Sequence, residues 1–394
     1  MDFKATAGSR GRHLLSEFKN HGVKVTVITS DSNNLITTPL LSNKVTLKND
    51  GGIDVVWLKT IKYLKAKSIS RILSWIHFEI NLFILNKSRL TKPDVIIVSS
   101  LSLLTILNGI LLKKKYKCKL VFEIRDIWPL TLVEEGSFSS KNIFIKILSL
   151  IEKLGYVKSD FIVGTMPNLK SHVCKVLGYE RPVHCIPMGI NENVQISKKS
   201  LPNYFVNNYL NPNYFNVVYA GTIGITNALV TFFETAELLL SDNSIRFVVV
   251  GDGPLKKHYQ NEYKHLKNLL FAPKVESNQV SFVLEYSDLV YFSTFKSRVW
   301  DYGQSLNKVI DYMSSGRPIV ASYSGYPSMI NEADCGFFVP AEDPKALSKK
   351  IVEIKMMSAT ERNALGKRGK DWLYKNRRYS ILASKYLDII SGDN

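Results

Sequence analysis

The chain alternates short apolar runs, rich in β-branched residues, with segments of helical periodicity, in two successive series. The runs are continuously apolar, as is typical of parallel strands covered by helices on both faces. Such strand–helix–strand series predict doubly wound α/β sheets. The predicted strands are 23–29, 53–58, 94–100, 119–124, 160–165, 182–189, 215–221, 245–253, 269–273, 289–293, 318–324 and 336–340. The predicted helices of the first series are 12–21, 68–88, 101–115, 142–158 and 167–178.

Residues 191–215 interrupt this alternation, because they are rich in Asn, contain Pro and have little periodicity. With 394 residues, the chain is long enough for two domains. The predicted organisation is a first Rossmann-like domain over 1–195, a linker over 196–214 and a second Rossmann-like domain over 215–370. Two such domains place a ligand cleft between the carboxyl ends of their sheets.

The end of the chain predicts a helical tail. Asp343-Pro344 combines a capping residue with a proline at the first helical position, and Ser358 with Glu361 forms a capping box. The last helix, over 371–394, is expected to cross back to the first domain.

The formal charge of +18, from 52 Lys and Arg against 34 Asp and Glu, indicates an anionic partner. Nucleic acid, an acidic membrane face and a phosphorylated substrate all satisfy this requirement. A basic nucleic-acid-binding protein would explain the charge, but no motif for nucleic-acid recognition is present. The sequence therefore predicts no nucleic-acid partner.

Four cysteines without CxxC spacing argue against a structural zinc site or a disulfide framework, and favour a reducing compartment. The longest apolar stretch, 72–85, is 14 residues long and contains polar residues, whereas a bilayer span needs about 20. The first residues do not have the pattern of a signal peptide. The sequence predicts a cytoplasmic protein.

The segment 302–322, YGQSLNKVIDYMSSGRPIVAS, contains the densest cluster of candidate site residues. A small polar loop with Ser305 and Asn307 leads into a helix that begins near Lys308. Free amide groups at the helix start, together with Lys308, would suit a diphosphate. Asp311, one turn further, could accept two hydrogen bonds from a ribose diol. The alternative is an ordinary capped helix with a surface aspartate.

This segment resembles the donor-nucleotide site of family 4 glycosyltransferases, which have the GT-B fold. The family has two acids eight positions apart, followed by a small-residue turn, G-[KR]-P and a strand. Asp311 stands at the second acidic position, and Gly303 stands at the first, so the paired-acid motif is half missing.

Five further segments resemble the family in the same order along the chain. They are AGSRGRHLLSEFKNHGVKVTVITS (7–30), EIRDIWP (123–129), IPMGIN (186–191), YAGTIG (219–224) and VVGDGP (249–254). The resemblance implies two Rossmann-like domains that face a cleft.

The resemblance also implies the roles of particular residues. Asp126 is expected to orient or deprotonate the acceptor, the alternative being a structural acid paired with Arg125. The expected donor-binding residues are Gly8, Ser9, Gly221, Thr222, Lys296, Arg298, Ser305, Asn307, Lys308 and Asp311.

Two departures from the family affect these expectations. Only six residues precede Ala7-Gly8-Ser9, so the first strand is predicted to be absent or truncated. Where many relatives have an Arg and a Lys after the first glycine turn of the second domain, this chain has Thr226 and Asn227. The positive charge for the diphosphate must then come from elsewhere, and Lys308, Lys296 and Arg298 are the candidates.

The resemblance implies a retaining hexosyltransferase that takes a UDP-sugar as co-substrate and uses no metal ion and no cofactor; the chain has no Asp-x-Asp pair. The implied sugar is an N-acetylated or deoxy-amino hexose. The implied acceptor is a polyprenyl-diphosphate-linked sugar or an oligosaccharide in bacterial O-antigen, capsule or exopolysaccharide synthesis. A GT-B sugar-nucleotide epimerase is the alternative enzyme, and it would require paired acids in the cleft.

A predicted helix over 68–86 is apolar nearly all round, so it is either buried in protein or in contact with lipid. Residues 59–92 contain eight Lys and Arg and one acid, and 113–119 add five lysines. Apolar and basic groups on one surface suit peripheral docking on the anionic inner face of the cytoplasmic membrane. The alternative is a core helix with a solvated basic rim.

Overall fold

The computed structural model describes residues 10–32, 38–63, 69–88, 90–100, 102–136, 138–191 and 200–392. The chain divides into two compact units. Unit 1 consists of Met1–Pro187 and Tyr379–Asn394, and unit 2 of Met188–Arg378. The first boundary, after Pro187, therefore lies eight residues before the limit of 195 predicted for the first domain. The second boundary, after Arg378, lies within the segment 371–394 that was predicted to cross back.

The helices and strands follow the two predicted series closely. Up to residue 187 they are α1 Arg10–Asn20, β1 Thr26–Ser30, β2 Val45–Asp50, β3 Ile53–Leu58, α2 Ile69–Ile84, β4 Val95–Ser99, α3 Thr105–Tyr116, β5 Lys119–Ile124, α4 Leu130–Glu134, α5 Ile143–Lys158, β6 Phe161–Gly164, α6 Leu169–Leu177 and β7 His184–Cys185. From residue 200 they are α7 Asn203–Tyr209, β8 Phe215–Ala220, α8 Val230–Leu238, β9 Ile245–Val250, α9 Lys256–Glu262, β10 Leu269–Ala272, α10 Val280–Glu285, β11 Leu289–Ser293, α11 Asn307–Ser315, β12 Ile319–Ser322, α12 Met329–Glu332, β13 Gly336–Val339, α13 Pro344–Met356, α14 Ala359–Asn376 and α15 Tyr379–Ser391.

The described strands of unit 1 form two sheets. Four parallel strands have the order β4-β5-β6-β7, and three strands have the order β1-β3-β2, in which β2 runs antiparallel to β3. The sequence patterns did not predict β2, because its residues VTLKND are mostly exposed and polar. The predicted lack of a first strand falls on residues 1–9, which lie outside the described residues.

Helices cover both faces of the four-stranded sheet in unit 1. On one face, Val121 and Val163 belong to an apolar cluster with residues of α1, β3 and α15. On the other face α5 approaches closely, because a Cβ on Gly155 would lie 2.6 Å from Cε1 of Phe122. The buried guanidinium of Arg10, at the start of α1, donates to Glu123 on β5 (2.7 Å) and to the carbonyl of Ile186 (2.7 Å), which fixes α1 to this sheet.

Unit 2 is built on one sheet of six parallel strands in the order β10-β9-β8-β11-β12-β13. One face is covered by α8 and α13, whose Phe232, Leu347 and Ile351 are fully buried. The other is covered by α10, α11 and α14, which contribute Val283, Met313 and Leu373. This is the doubly wound arrangement that the continuous apolar runs predicted.

The predicted linker over 196–214 is wrong for the residues that the structure describes from 200 onwards. Residues 203–209 form α7, and Phe205 and Leu210 are buried in the core of unit 2. The aromatic residues of α7 supply its apolar surface, but the asparagines between them obscure the apolar periodicity of the sequence.

Both predicted caps near the end of the chain are present. The carboxylate of Asp343 accepts from the amide of Ala346 (2.9 Å) at the start of α13, and Ser358 with Glu361 forms the capping box of α14. The predicted start of the last helix at 371 is wrong, because α14 continues to Asn376. The helix in unit 1 is α15, which packs on α1 through stacked His13 and Tyr379.

Candidate functional site

The loops that follow β8 and β9 pack directly on each other. Gly251 has a φ of +151°, and a Cβ there would lie 1.9 Å from the carbonyl oxygen of Gly221. The hydroxyl of Tyr219 donates to the carbonyl of Thr222 (2.7 Å), which fixes the same loop from below. Gly221 and Thr222 thus lie at the carboxyl end of β8, at the centre of the sheet, where parallel α/β folds bind ligands.

Lys308 reaches the same loop from the start of α11. Its ammonium donates to Oδ1 of Asn227, and it lies 5.1 Å from the centre of the Tyr219 ring. Among the described residues, no carboxylate pairs with this ammonium. Desolvation lowers the pKa of Lys308 to about 8. An anion bound here would therefore replace the hydration that the ammonium has lost.

Asn227 was not among the predicted site residues, although it holds this lysine. Its side-chain amide donates to the carbonyl of Thr222 (2.9 Å), and its own carbonyl accepts from the hydroxyl of Ser293 (2.7 Å). The first bond orients the carboxamide so that Oδ1 is left for Lys308, and the second holds the backbone of Asn227. The sequence indicated only that a neutral residue replaces a cation here, and the distance of 81 positions to Lys308 hides the partnership.

The start of α11 has no side-chain cap at Leu306. In the described part of the chain, the backbone amides of Asn307 and Lys308 have no acceptor, so the positive end of the helix dipole faces outward next to Lys308. The hydroxyl of Ser305 accepts from the amide of Met188 (2.9 Å) and keeps its own proton available. Asn307 is exposed.

Asp311 lies one turn further along α11, as expected, and its side chain is exposed. Its carboxylate makes no hydrogen bond and no ion pair with the residues that the structure describes. Desolvation by the surrounding protein raises the pKa of Asp311 to about 6. A carboxylate that is accessible, partly desolvated and without a partner can accept hydrogen bonds from a ligand.

The other predicted donor residues are less informative. Lys296 and Arg298 both lie on the segment between β11 and α11, and both side chains are exposed. Among the described residues, no hydrogen bond or ion pair joins either of them to Lys308. Gly8 and Ser9 lie outside the described residues.

In unit 1, Asp126 lies just beyond the carboxyl end of β5. The turn is fixed by Ser100, whose hydroxyl accepts from the amide of Arg125 (2.9 Å) and donates to the carbonyl of Asp126 (3.4 Å). The side chain of Asp126 is exposed. Desolvation raises its pKa, against the lowering effect of the positive charges of Arg125 and Arg71.

The alternative for Asp126, a structural acid paired with Arg125, has no ion pair to support it among the described residues. The structural acid of this motif is Glu123, which is buried and bonded to Arg10 at 2.7 Å. Two carboxylates three residues apart therefore have different environments, because one points into the core and the other lies past the strand end.

Comparisons with known proteins agree with the motif order. The family model described as Glycosyltransferase Family 4 matches residues 9–194, and the model described as Glycosyl transferases group 1 matches residues 214–355. No curated protein sequence matches the chain.

Solved structures share the fold at low sequence identity. The sucrose-phosphate synthase of Thermosynechococcus elongatus is 14% identical with a TM-score of 0.70, covering 97% of this chain and 92% of its own. The Escherichia coli trehalose-6-phosphate protein bound with UDP-2-fluoro glucose is 13% identical with a TM-score of 0.72, covering 99% and 97%.

HepE of Anabaena, in complex with UDP and glucose, is 12% identical with a TM-score of 0.63, covering 99% of this chain and 98% of its own. Together with the two family models and the ordered motifs, these folds lead to one assignment: the chain belongs to the family 4 glycosyltransferases and has the GT-B fold.

Proposed function

We propose that this protein is a retaining glycosyltransferase that moves a hexose from a UDP-sugar to a lipid-linked or oligosaccharide acceptor in bacterial surface polysaccharide synthesis. The observation that carries the proposal is the group formed by Lys308, Asn227 and the uncapped start of α11. The UDP ligands of two of the structural relatives support the choice of nucleotide.

The leaving diphosphate needs positive charge, which a metal ion or the protein can supply. In this proposal the ammonium of Lys308 and the amides of Asn307 and Lys308 supply it, so no metal ion is required. Asn227 compensates for the missing cation after β8 by holding Lys308 at that loop.

Asp311 is proposed to accept both hydroxyls of the ribose. At neutral pH its carboxylate is ionised, since its pKa is raised only to about 6. The missing first acid, at Gly303, removes one family contact to the sugar. The N-acetylated or deoxy-amino hexose implied by the motif variant remains part of the proposal.

In a retaining transfer, the bond between the anomeric carbon and the diphosphate oxygen breaks, and the acceptor oxygen bonds to the same face of that carbon. The acceptor proton passes to the departing phosphate oxygen. Asp126 is proposed to accept a hydrogen bond from the acceptor hydroxyl and so orient it. Its raised pKa strengthens that acceptor.

We further propose that the acceptor is lipid-linked and that the protein docks on an anionic membrane through the basic regions 59–92 and 113–119. The exposed lysines Lys114 and Lys115 at the end of α3 support this part of the proposal.

Titration calorimetry with UDP tests the donor site. UDP should bind equally well in EDTA and in magnesium, and uridine should bind far more weakly because it lacks the diphosphate. A strict requirement for magnesium or manganese would contradict the assignment of Lys308 and α11 to the diphosphate.

A further inference from the structure

Helices α2, α3 and α5 lie side by side in one layer of unit 1. Helix α3 packs against both α2 and α5, and it covers the face of β4 and β5 opposite to α1 and α15. The outward sides of the three helices therefore belong to one surface. Within the described chain, no helix is both long and apolar enough to cross a membrane.

That surface is unusually apolar for one exposed to water. On α5 the exposed side chains repeat every three or four residues, so that they form one stripe along the helix, and Ile143 and Leu150 are 72% and 69% exposed. Helix α2 adds a second exposed group, which includes Phe83 at 65%. The exposed apolar residues of the layer are Ile72, Leu73, Ile76, Ile80, Phe83, Ile84, Leu107, Leu111, Ile143, Ile147, Leu150, Leu154 and Val157.

The charged residues of the layer all have one sign on the outside. The exposed lysines are Lys114 and Lys115 on α3 and Lys146, Lys153 and Lys158 on α5. The three helices contain two acids, and neither belongs to this face. Glu79 is bonded to Thr105 and Asn108 (2.7 Å), and Glu152 is buried against Tyr156 and His172.

We propose that the outward face of α2, α3 and α5 is a membrane-docking face, in which the α5 stripe inserts among the headgroups of an anionic bilayer while the flanking lysines bind their phosphates. A broad apolar face rimmed by basic residues suits an interfacial layer of anionic lipid. A second copy of this chain would bring lysines against lysines, with no acid to pair them. This proposal rests on the docking part of the proposed function. It adds the insertion of apolar side chains to the attraction between charges, and it adds α5 to the docking regions 59–92 and 113–119.

Co-sedimentation of the full chain with vesicles tests this. One set contains phosphatidylglycerol with phosphatidylcholine, and the other contains phosphatidylcholine alone. The double variant Ile143→Ser/Leu150→Ser removes apolar area without adding charge, and should bind the anionic vesicles about tenfold or more weakly. Binding that survives at high salt in the original protein should be lost in this variant, since screening weakens only the charged contacts.

The matched control is Val352→Ser/Met356→Ser on α13, where Met356 is 80% exposed in unit 2. It should bind vesicles as the original protein does. The melting temperatures of both variants should stay near that of the original, because all four side chains are exposed.

Equal vesicle binding by the original protein and the α5 variant would overturn the inference. Equal binding of the original protein to both vesicle types would also overturn it. A third contrary result would be that the original protein binds no vesicles and forms a dimer, and that this dimer dissociates in the α5 variant. UDP affinity, measured on the same samples, should be unchanged. If the original protein did not bind UDP at all, the proposed donor site would be wrong, but the proposal of a docking face would still hold.

Discussion

Helix α5 of unit 1 and helix α14 of unit 2 both lie on the outside of an α/β unit, yet their exposed sides differ. The exposed side of α5 is Ile, Leu and Val interrupted by lysines, without an acid. The exposed side of α14 has no large apolar side chain, and it contains the acids Glu361 and Asp371, of which Asp371 pairs with Lys367 (2.6 Å). The shared fold explains neither pattern.

The difference teaches that the two units leave different kinds of group available to a ligand. In unit 2 the outer side of α14 is adapted to water. Lys308, which has no carboxylate partner among the described residues, lies at the carboxyl end of the sheet. Unit 1 pairs or buries the acids of its α2–α3–α5 layer and leaves apolar and basic groups on the outside. A small anion suits the first situation, and an extended anionic surface suits the second.

The strongest test of this division is Lys308→Met. Loss of charge-assisted hydrogen bonds, worth about 1.5–3 kcal/mol, should weaken UDP binding about tenfold to 150-fold. Vesicle binding should not change, because Lys308 belongs to unit 2. Lys370→Met on the exposed side of α14 is the control. UDP binding is measured by calorimetry and vesicle binding by co-sedimentation, on both variants. If Lys308→Met weakened both kinds of binding in parallel, the proposed division between the two units would be wrong.

The second test addresses unit 1 through Lys114→Gln/Lys115→Gln. Each basic residue near an anionic surface contributes about 1 kcal/mol, so vesicle binding at low salt should fall about 30-fold. Lys113 is left unchanged, because it pairs with Asp160 at 2.7 Å. Lys345→Gln/Lys349→Gln, two exposed lysines on α13, should bind as the original does. Equal losses in both double variants would mean that net charge alone determines docking.

Asp311→Asn gives a smaller effect confined to unit 2. It keeps the shape and one acceptor oxygen but loses the charge, so UDP affinity should fall about tenfold, or one step of about 1.4 kcal/mol. Asp311→Ala should weaken binding further. The melting temperature should stay the same, since Asp311 has no partner among the described residues. Lower stability with intact UDP affinity would instead identify an ordinary helix residue.

The smallest effect is the pH dependence of UDP binding. Because the pKa of Lys308 is lowered to about 8, its charged form is depleted as the pH rises through that value. Affinity should therefore fall about threefold between pH 7.5 and 8.5, where the nucleotide phosphates stay ionised. Lys308→Arg, which does not titrate in this range, should remove the dependence. A flat profile for the original protein would exclude Lys308 from the diphosphate site.

Much of the fold could be predicted from the sequence because its strands are buried on both faces. Val121, Phe122 and Val290, for example, are fully buried, so their segments read as continuous apolar runs. Strand β2 escaped prediction because exposed strands such as this one depend on pairing with a neighbour, here β3. Helix α7 was not predicted because asparagines separate its aromatic residues, so that the sequence shows no clear apolar periodicity.

The candidate site could be predicted only where its residues are neighbours in sequence. Lys308 and Asp311 share one helix, so spacing and family resemblance brought them together. Asn227 meets Lys308 only through the folding of β8 and α11, and no local pattern reports such a pair. The exposure of α5 was likewise hidden, because a helix rich in Ile and Leu has the same composition whether its outer side meets protein, lipid or water.

The return of α15 to unit 1 has a consequence for the order in which the protein is made. Unit 2 is one continuous stretch of chain, whereas unit 1 needs residues from both ends. During synthesis, Leu14 and Phe18 on α1 therefore remain partly uncovered until Tyr379 and Tyr386 have been translated. The half of the protein that begins first is completed last.

A premature stop codon at residue 379 would thus leave unit 2 whole and damage unit 1, whose larger part is encoded at the opposite end of the gene. Separate production of the units follows the same logic. Residues 188–378 form one continuous piece that we expect to fold alone, whereas a fragment ending near residue 187 lacks α15, which completes the core of unit 1.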